Sequence, residues 1–189
     1  MKFFASVLAL GAVLSAAPAV HAQIYINDNF DDNDLVGWTN TGGLWTASGG
    51  TAVVNVQGSA PSGTFSLSRS FSASGTGASS FLQYRWSVVD NNPAGFNLSA
   101  VLRNTTTSTD IYSVAYTTGT GGFLNPSVNL VNGNSYTLTF AVSSLSNQTT
   151  VRIDDVFVRQ VPGPLPILGA FAAFGWSRKL RAKIRGAQA

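Results

Sequence analysis

The 189-residue chain contains no cysteine, so disulfides cannot staple it and no thiolate is available as nucleophile or metal ligand. It also contains no glutamate, and its single histidine is His21. The three lysines, Lys2, Lys179 and Lys183, lie at the two ends. Between Gln23 and Gln160 there is therefore no Cys, His, Glu or Lys. That excludes His-dependent catalytic triads, cysteine nucleophiles and the usual zinc ligand sets. It leaves aspartate-only chemistry and calcium, whose ligands are oxygens. Long helical periodicity is missing as well. The formal charge of +3 and pI near 9.5 do not describe the body. Five cations lie in the last twelve residues and Lys2 lies at the start, while residues 23–160 hold eight aspartates and five arginines, a net charge of −3. The basic pI therefore gives no reason to expect a nucleic-acid partner.

Both ends read as targeting segments. Lys2 forms a positive n-region, Phe3 to Ala17 an apolar run, and Val20 and Ala22 the small residues of a signal-peptide cleavage site. Cleavage between Ala22 and Gln23 is expected, with passage through the secretion machinery. At the other end Pro162, Pro164 and Pro166 fix φ and lack N–H donors, so the gate from Val161 to Pro166 is an extended spacer. An uncharged run follows as far as Trp176, and then Arg178, Lys179, Arg181, Lys183 and Arg185. Apolar run, interfacial Trp and adjacent cations suggest one short hydrophobic helix inserted in the inner membrane, below the ~20 residues of a comfortable span. The alternative is an amphipathic helix packed on the body. The expected division is a signal peptide (1–22), one domain (23–160) and a tail (161–189).

The segments VPGPLPILG (161–169) and FGWSRKLR (174–181) resemble the PEP-CTERM sorting signal of Gram-negative bacteria. The match is to the variant opening Val161, Pro162, Gly163, Pro164, Leu165, Pro166, with Gly163 where the name-giving motif has glutamate. The resemblance covers the tail alone. It implies processing by an exosortase-type membrane enzyme and delivery to the envelope surface or extracellular matrix.

The body alternates with period two. Strands are expected at Gln23–Ile26, Thr51–Val56, Thr64–Phe71, Phe81–Val89, Asn97–Asn104, Ile111–Tyr116, Tyr136–Val142 and Thr149–Arg159. In the fourth, Leu82, Tyr84, Trp86 and Val88 form an apolar face opposite Gln83, Arg85 and Ser87. Asn132-Gly133 suits a tight hairpin turn with positive φ. Eight or more short strands without a helix predict an all-β fold, an antiparallel β-sandwich of jelly-roll type.

NDNFD (27–31) with VGW (36–38), VNGNSYTLTF (131–140) and VRIDDVFV (151–158) resemble the edges of jelly-roll carbohydrate-binding modules. The resemblance implies a structural calcium ion at Asp31 and Asp154 and polysaccharide as a partner. The residues themselves leave alternatives open. Asp28, Asp31, Asp32 and Asp34 crowd into seven positions and Asp154-Asp155 lie near the other end. First and last strands are often neighbours, so the two groups can converge on a cation. Val156 and Val158 in phase with Asp154 suggest that it points inward, neutralised by calcium or by Arg152. The competing reading is a solvated, turn-forming acidic loop. For sugar stacking the candidates are Trp38, Trp45, Tyr112 and Tyr116, each set against burial in the core, which is favoured; Trp86 reads as core. Paired carboxylates raise a glycosidase as an alternative, with Asp90 and Asp110 the remaining acids. The reading is an exported, non-enzymatic surface or matrix protein that binds carbohydrate, against an Asp-based hydrolase or a purely structural surface module.

Overall fold

A computed structural model describes residues 22–59, 61–74, 79–90, 96–143, 145 and 148–161. The signal-peptide run up to His21 and the tail from Pro162 onward, where the short hydrophobic helix is expected, lie outside the described residues. Of their boundary positions, Gln23 opens the first strand and Val161 closes the last.

Among the described residues there are twelve strands and no helix. The eight strands expected from alternation are β1 (Gln23–Asp28), β4 (Ala52–Asn55), β5 (Thr64–Ser72), β6 (Ser79–Asp90), β7 (Asn97–Asn104), β8 (Thr109–Tyr116), β11 (Ser135–Ser143) and β12 (Thr149–Val161). Four short ones add to these: β2 (Thr39–Thr41), β3 (Thr46–Ala47), β9 (Gly121–Leu124) and β10 (Ser127–Val128). At two to four residues they carry too little alternation to be read from sequence.

The strands form two sheets, a β-sandwich of jelly-roll type. One runs β2-β5-β11-β7-β8; the other runs β10-β6-β12-β4-β3, with β1 also beside β12 and β9 also beside β6. All pairs are antiparallel. Consecutive strands often change sheet, as β4 to β5, β5 to β6 and β11 to β12 do, so the two layers cannot separate without unravelling the chain. The Asn132-Gly133 turn exists, with Gly133 at φ +83° and the Asn134 N–H donating to the Val131 carbonyl. It is not a hairpin, because β10 and β11 belong to different sheets.

The core lies between the layers and follows the alternation. Tyr136, Leu138, Phe140 and Val142 of β11 and Leu98, Ala100 and Leu102 of β7 meet Leu82, Tyr84, Trp86 and Val88 of β6 and Val151, Ile153, Val156 and Val158 of β12. Arg69 shares the inward row of β5 with Phe65, Leu67 and Phe71. It is matched there by Asp28, whose Oδ2 accepts from Arg69 at 3.0 Å and from the Trp38 indole N–H at 2.8 Å.

One irregularity orders the rest. β12 has thirteen residues and two partners on one edge: β4 along Thr150–Ile153 and β1 along Val156–Gln160. Between them the register with β6 shifts, from Asp154 opposite Arg85 to Phe157 opposite Gln83. The extra residue is a β-bulge with Asp155 at φ +51°, a left-handed conformation that Asp tolerates better than most residues. It inverts the alternation. Ile153 and Val156 both point in, so Asp154 points out with Arg152, and Phe157 and Arg159 point out after it.

Candidate functional site

Residues opposed in an antiparallel pair share a face. The outward face of the β6–β12 sheet can therefore be built from register. Its central strand presents Arg152, Asp154, Phe157 and Arg159. Beside them β6 presents Phe81 opposite Arg159, Gln83 opposite Phe157, and Arg85 opposite Asp154. β9 adds Phe123 opposite Arg85, and β1 adds Ile24 opposite Arg159. Phe81, Gln83 and Phe157 are half-buried, and the three arginines are exposed. Ile24 (58 % exposed), Val89 (48 %) and Phe123 (50 %) belong to this face and are three of the five large exposed hydrophobics among the described residues. A solvent-facing sheet that carries apolar side chains among polar ones can serve as an interaction surface.

Polar groups hold the aromatics in place. The Arg85 guanidinium lies over the Phe123 ring, 5.7 Å from its centroid, and its Nε donates to Asp155 Oδ2 at 3.2 Å. The bulge that turns Asp155 up also brings Phe157 into line with Gln83. Flat apolar rings flanked by guanidinium and amide donors can stack on the C–H face of a pyranose and hydrogen-bond its hydroxyls. The opposite outer surface of the sandwich differs. Its β5 and β11 rows are Ser66, Ser68, Ser70 and Ser72 against Ala141, Thr139, Thr137 and Ser135, with hydroxyl pairs such as Ser70–Thr137 at 2.8 Å and no exposed large hydrophobic among the described residues.

The sequence-derived candidates lie elsewhere. Trp45 is 1 % exposed, its indole N–H donating to the Phe65 carbonyl at 3.2 Å. Trp38 is buried against Phe30 and Phe140, with Arg69 over its ring. Both are core residues, and neither has a free ring face for a sugar. Tyr112 and Tyr116 share the inward row of β8 with Val114, half-buried at the edge of the sandwich. Their hydroxyls meet that of the fully buried Tyr84 at 2.9 and 2.8 Å, and Tyr116 stacks on Trp86 at 4.2 Å. Burial pushes the Tyr116 phenol up to about 12, and burial pushes Tyr84 up further still. These tyrosines close the edge between the sheets.

The acidic loop divides. Asp28 turns inward to Arg69. Asp28, Asp32 and Asp34 each accept the backbone N–H two residues on, from Phe30, Asp34 and Val36, so the stretch is a chain of Asx turns. Asp31 is exposed and lies against Gly50, where an added Cβ would stand 3.0 Å from its Oδ1. Asp154 does not point inward as counted from Val156 and Val158, because the bulge reverses the phase. Its neighbour across the ladder is Arg85 rather than Arg152. Burial raises the pKa of Asp154, the Asp155 and Asp31 charges add to the rise, and the Asp155 N–H and Arg85 oppose it. Asp31 and Asp154 thus do come within electrostatic reach. Among the described residues no third His, Cys, Asp or Glu joins them. Asp110 pairs with Arg103 at 2.9 Å on the hydroxyl-rich side.

The outward phenylalanines were missed. Phe81 stands in phase with Gln83, Arg85 and Ser87, the polar row of β6, and an aromatic in a polar row was the available signal.

No protein-family model and no curated protein matches the chain. Solved structures do. A CBM61 module determined with β-1,4-galactotriose superposes with a TM-score of 0.53 at 15% identity, covering 72% of this chain and 97% of its own. The K3 adhesin domain of Lys-gingipain from Porphyromonas gingivalis gives 0.52 at 15% identity, covering 74% and 99%. The fold is that of these modules. A family 29 carbohydrate-binding module gives 0.47 at 15% identity, covering 75% and 94%.

Proposed function

We propose that this chain is an exported, non-enzymatic carbohydrate-binding protein of the cell surface or extracellular matrix. The observation that carries the reading is the outward face centred on Phe157, where the exposed ring of Phe123 and the half-buried rings of Phe81 and Phe157 alternate with guanidinium and amide groups. The shared fold supports it, since the CBM61 module was determined with a bound galactotriose. Export rests on the signal-like first 22 residues, and sorting by an exosortase-type enzyme rests on the VPGPLP tail. Aspartates committed to turns and ion pairs leave little for hydrolysis, which weighs against the hydrolase alternative.

The test is affinity electrophoresis of the full chain through gels containing neutral and acidic polysaccharides. Retardation by at least one polymer is expected. Phe157→Ala and Phe123→Ala should each weaken it by roughly three- to tenfold, the worth of one aromatic contact. Tyr112→Phe should leave it unchanged. The double Phe variant binding like the parent would remove Phe157 from the site.

We further propose that Asp31 and Asp154 hold a structural calcium ion, whose charge would offset their mutual repulsion. The two carboxylates are of the oxygen type calcium takes, and backbone carbonyls or water would supply the rest of its six to eight ligands. Because the folded state raises the Asp154 pKa, the ionised form costs stability in the window above the ordinary carboxylate value, and protonation at lower pH removes that cost. In chelator at neutral pH, Asp154→Asn is therefore expected to raise the melting temperature, with the gain fading below about pH 4. Calcium should raise the melting temperature of the parent but not of Asp154→Asn. A parent indifferent to calcium would end the metal assignment.

A further inference from the structure

The five arginines of the described residues divide unequally. Arg69 pairs with Asp28, Arg85 with Asp155 and Arg103 with Asp110. Arg152 and Arg159 are exposed and form no ion pair among the described residues. Both lie on the outward row of β12, one on either side of Phe157, on a body whose net charge is negative. At 3.3 Å per residue, and allowing for the bulge, they stand about 20 Å apart along the strand. Two guanidinia in no ion pair bracket a half-buried ring, and neither offsets a buried charge. They are suited to a ligand that repeats an anionic group along its length and offers apolar faces between.

Resting on the carbohydrate reading of this face, we propose that its ligand is an acidic polysaccharide, a polymer of uronate sugars. A planar guanidinium matches a sugar carboxylate with two parallel N–H donors, a geometry an ammonium cannot offer. Arg152 and Arg159 each receive a carboxylate from different residues of the polymer. A ring between them lies on Phe157, with Gln83 beside it as a donor to hydroxyls. Arg85, already bound by Asp155 and covering Phe123, orients that ring rather than carrying charge to the ligand.

The experiment titrates the full chain with polygalacturonate, with its carboxyl-reduced neutral counterpart, and with poly-glutamate as a polyanion without sugar. Polygalacturonate is expected to bind, at least about tenfold more tightly than either of the others, the scale of one charge-assisted hydrogen bond. Binding should weaken with added salt, since the guanidinia are exposed. R152Q and R159Q should each weaken it by about tenfold while leaving the melting temperature within a degree or two of the parent, because both side chains are exposed. Equal affinity for the reduced polymer would overturn the acidic assignment and leave the carbohydrate reading standing. Equal affinity for poly-glutamate would overturn both, as would binding to none of the three together with no neutral polysaccharide retarding the chain. Parent-like binding of the R152Q/R159Q double variant would overturn the assignment of these two residues.

Discussion

Asp28→Ala is expected to lower the unfolding free energy by about 3–5 kcal/mol, the scale for breaking a largely buried ion pair by removing one partner. The carboxylate is 17% exposed and Arg69 is 28% exposed. One oxygen of Asp28 takes the Arg69 guanidinium and the Trp38 indole N–H together, and the other takes the Phe30 N–H. Its loss strands a cation and two N–H donors at once. It also unties Phe30, a fully buried ring whose backbone sits at φ +53°, a conformation that costs a bulky residue about 1–2 kcal/mol and is held only by its surroundings. Denaturant titration should show a lower midpoint at an unchanged slope. Combining Asp28→Ala with Arg69→Met removes the orphaned charge and should recover most of the loss, leaving the unpaired Trp38 N–H. A single variant within about 1 kcal/mol of the parent would mean that water reaches Arg69 and the pair is a surface one.

The same residue shows what a sequence conceals. Asp28 reads as one acid in a crowded acidic loop, and Arg69 as the misfit in an otherwise apolar row of β5. Each is explained by the other, forty-one positions away, and no local pattern joins them. Where the signal is local the reading holds: the inward rows of β6 and β11 follow alternation residue by residue, because one face of each strand must be dry. β12 fails for an instructive reason. Counted forward from Val151 and Ile153, Asp154 points out; counted back from Val158 and Val156, it points in. Each count holds only on its own side of the bulge, and Asp154 lies on the forward side. The aromatic candidates face inward because of residue type. Trp38, Trp45 and Tyr116 are large enough to fill the space between sheets, so the sandwich takes them, and the outward row is left with phenylalanines.

Phe140→Ala is expected to cost about 3–5 kcal/mol, and more than most single changes in this core. Phe140 sits mid-strand in β11, the central strand of its sheet. Its ring packs at 6.2 Å on Trp38 and edge-on at 5.2 Å to Tyr84, so it touches side chains of both layers. Its partner across β7 is Ala100, also fully buried. Across β5 it faces Leu67, itself fully buried and packed, and Ala100 is too small to fill the vacated volume. Cavities that cannot collapse fall at the costly end of the range. The outward face of β12 is built on the far side of the other sheet, so folded Phe140→Ala, assayed well below its lowered melting temperature, should still bind polysaccharide like the parent. Phe157→Ala should show the reverse, with binding weakened and the denaturation midpoint nearly unchanged, since that ring is only half-buried. The pair of outcomes separates the side of the sheet that holds the protein together from the side that meets the ligand. Loss of binding in a folded Phe140→Ala protein would place the ligand between the layers, at the edge closed by Tyr84, Tyr112 and Tyr116.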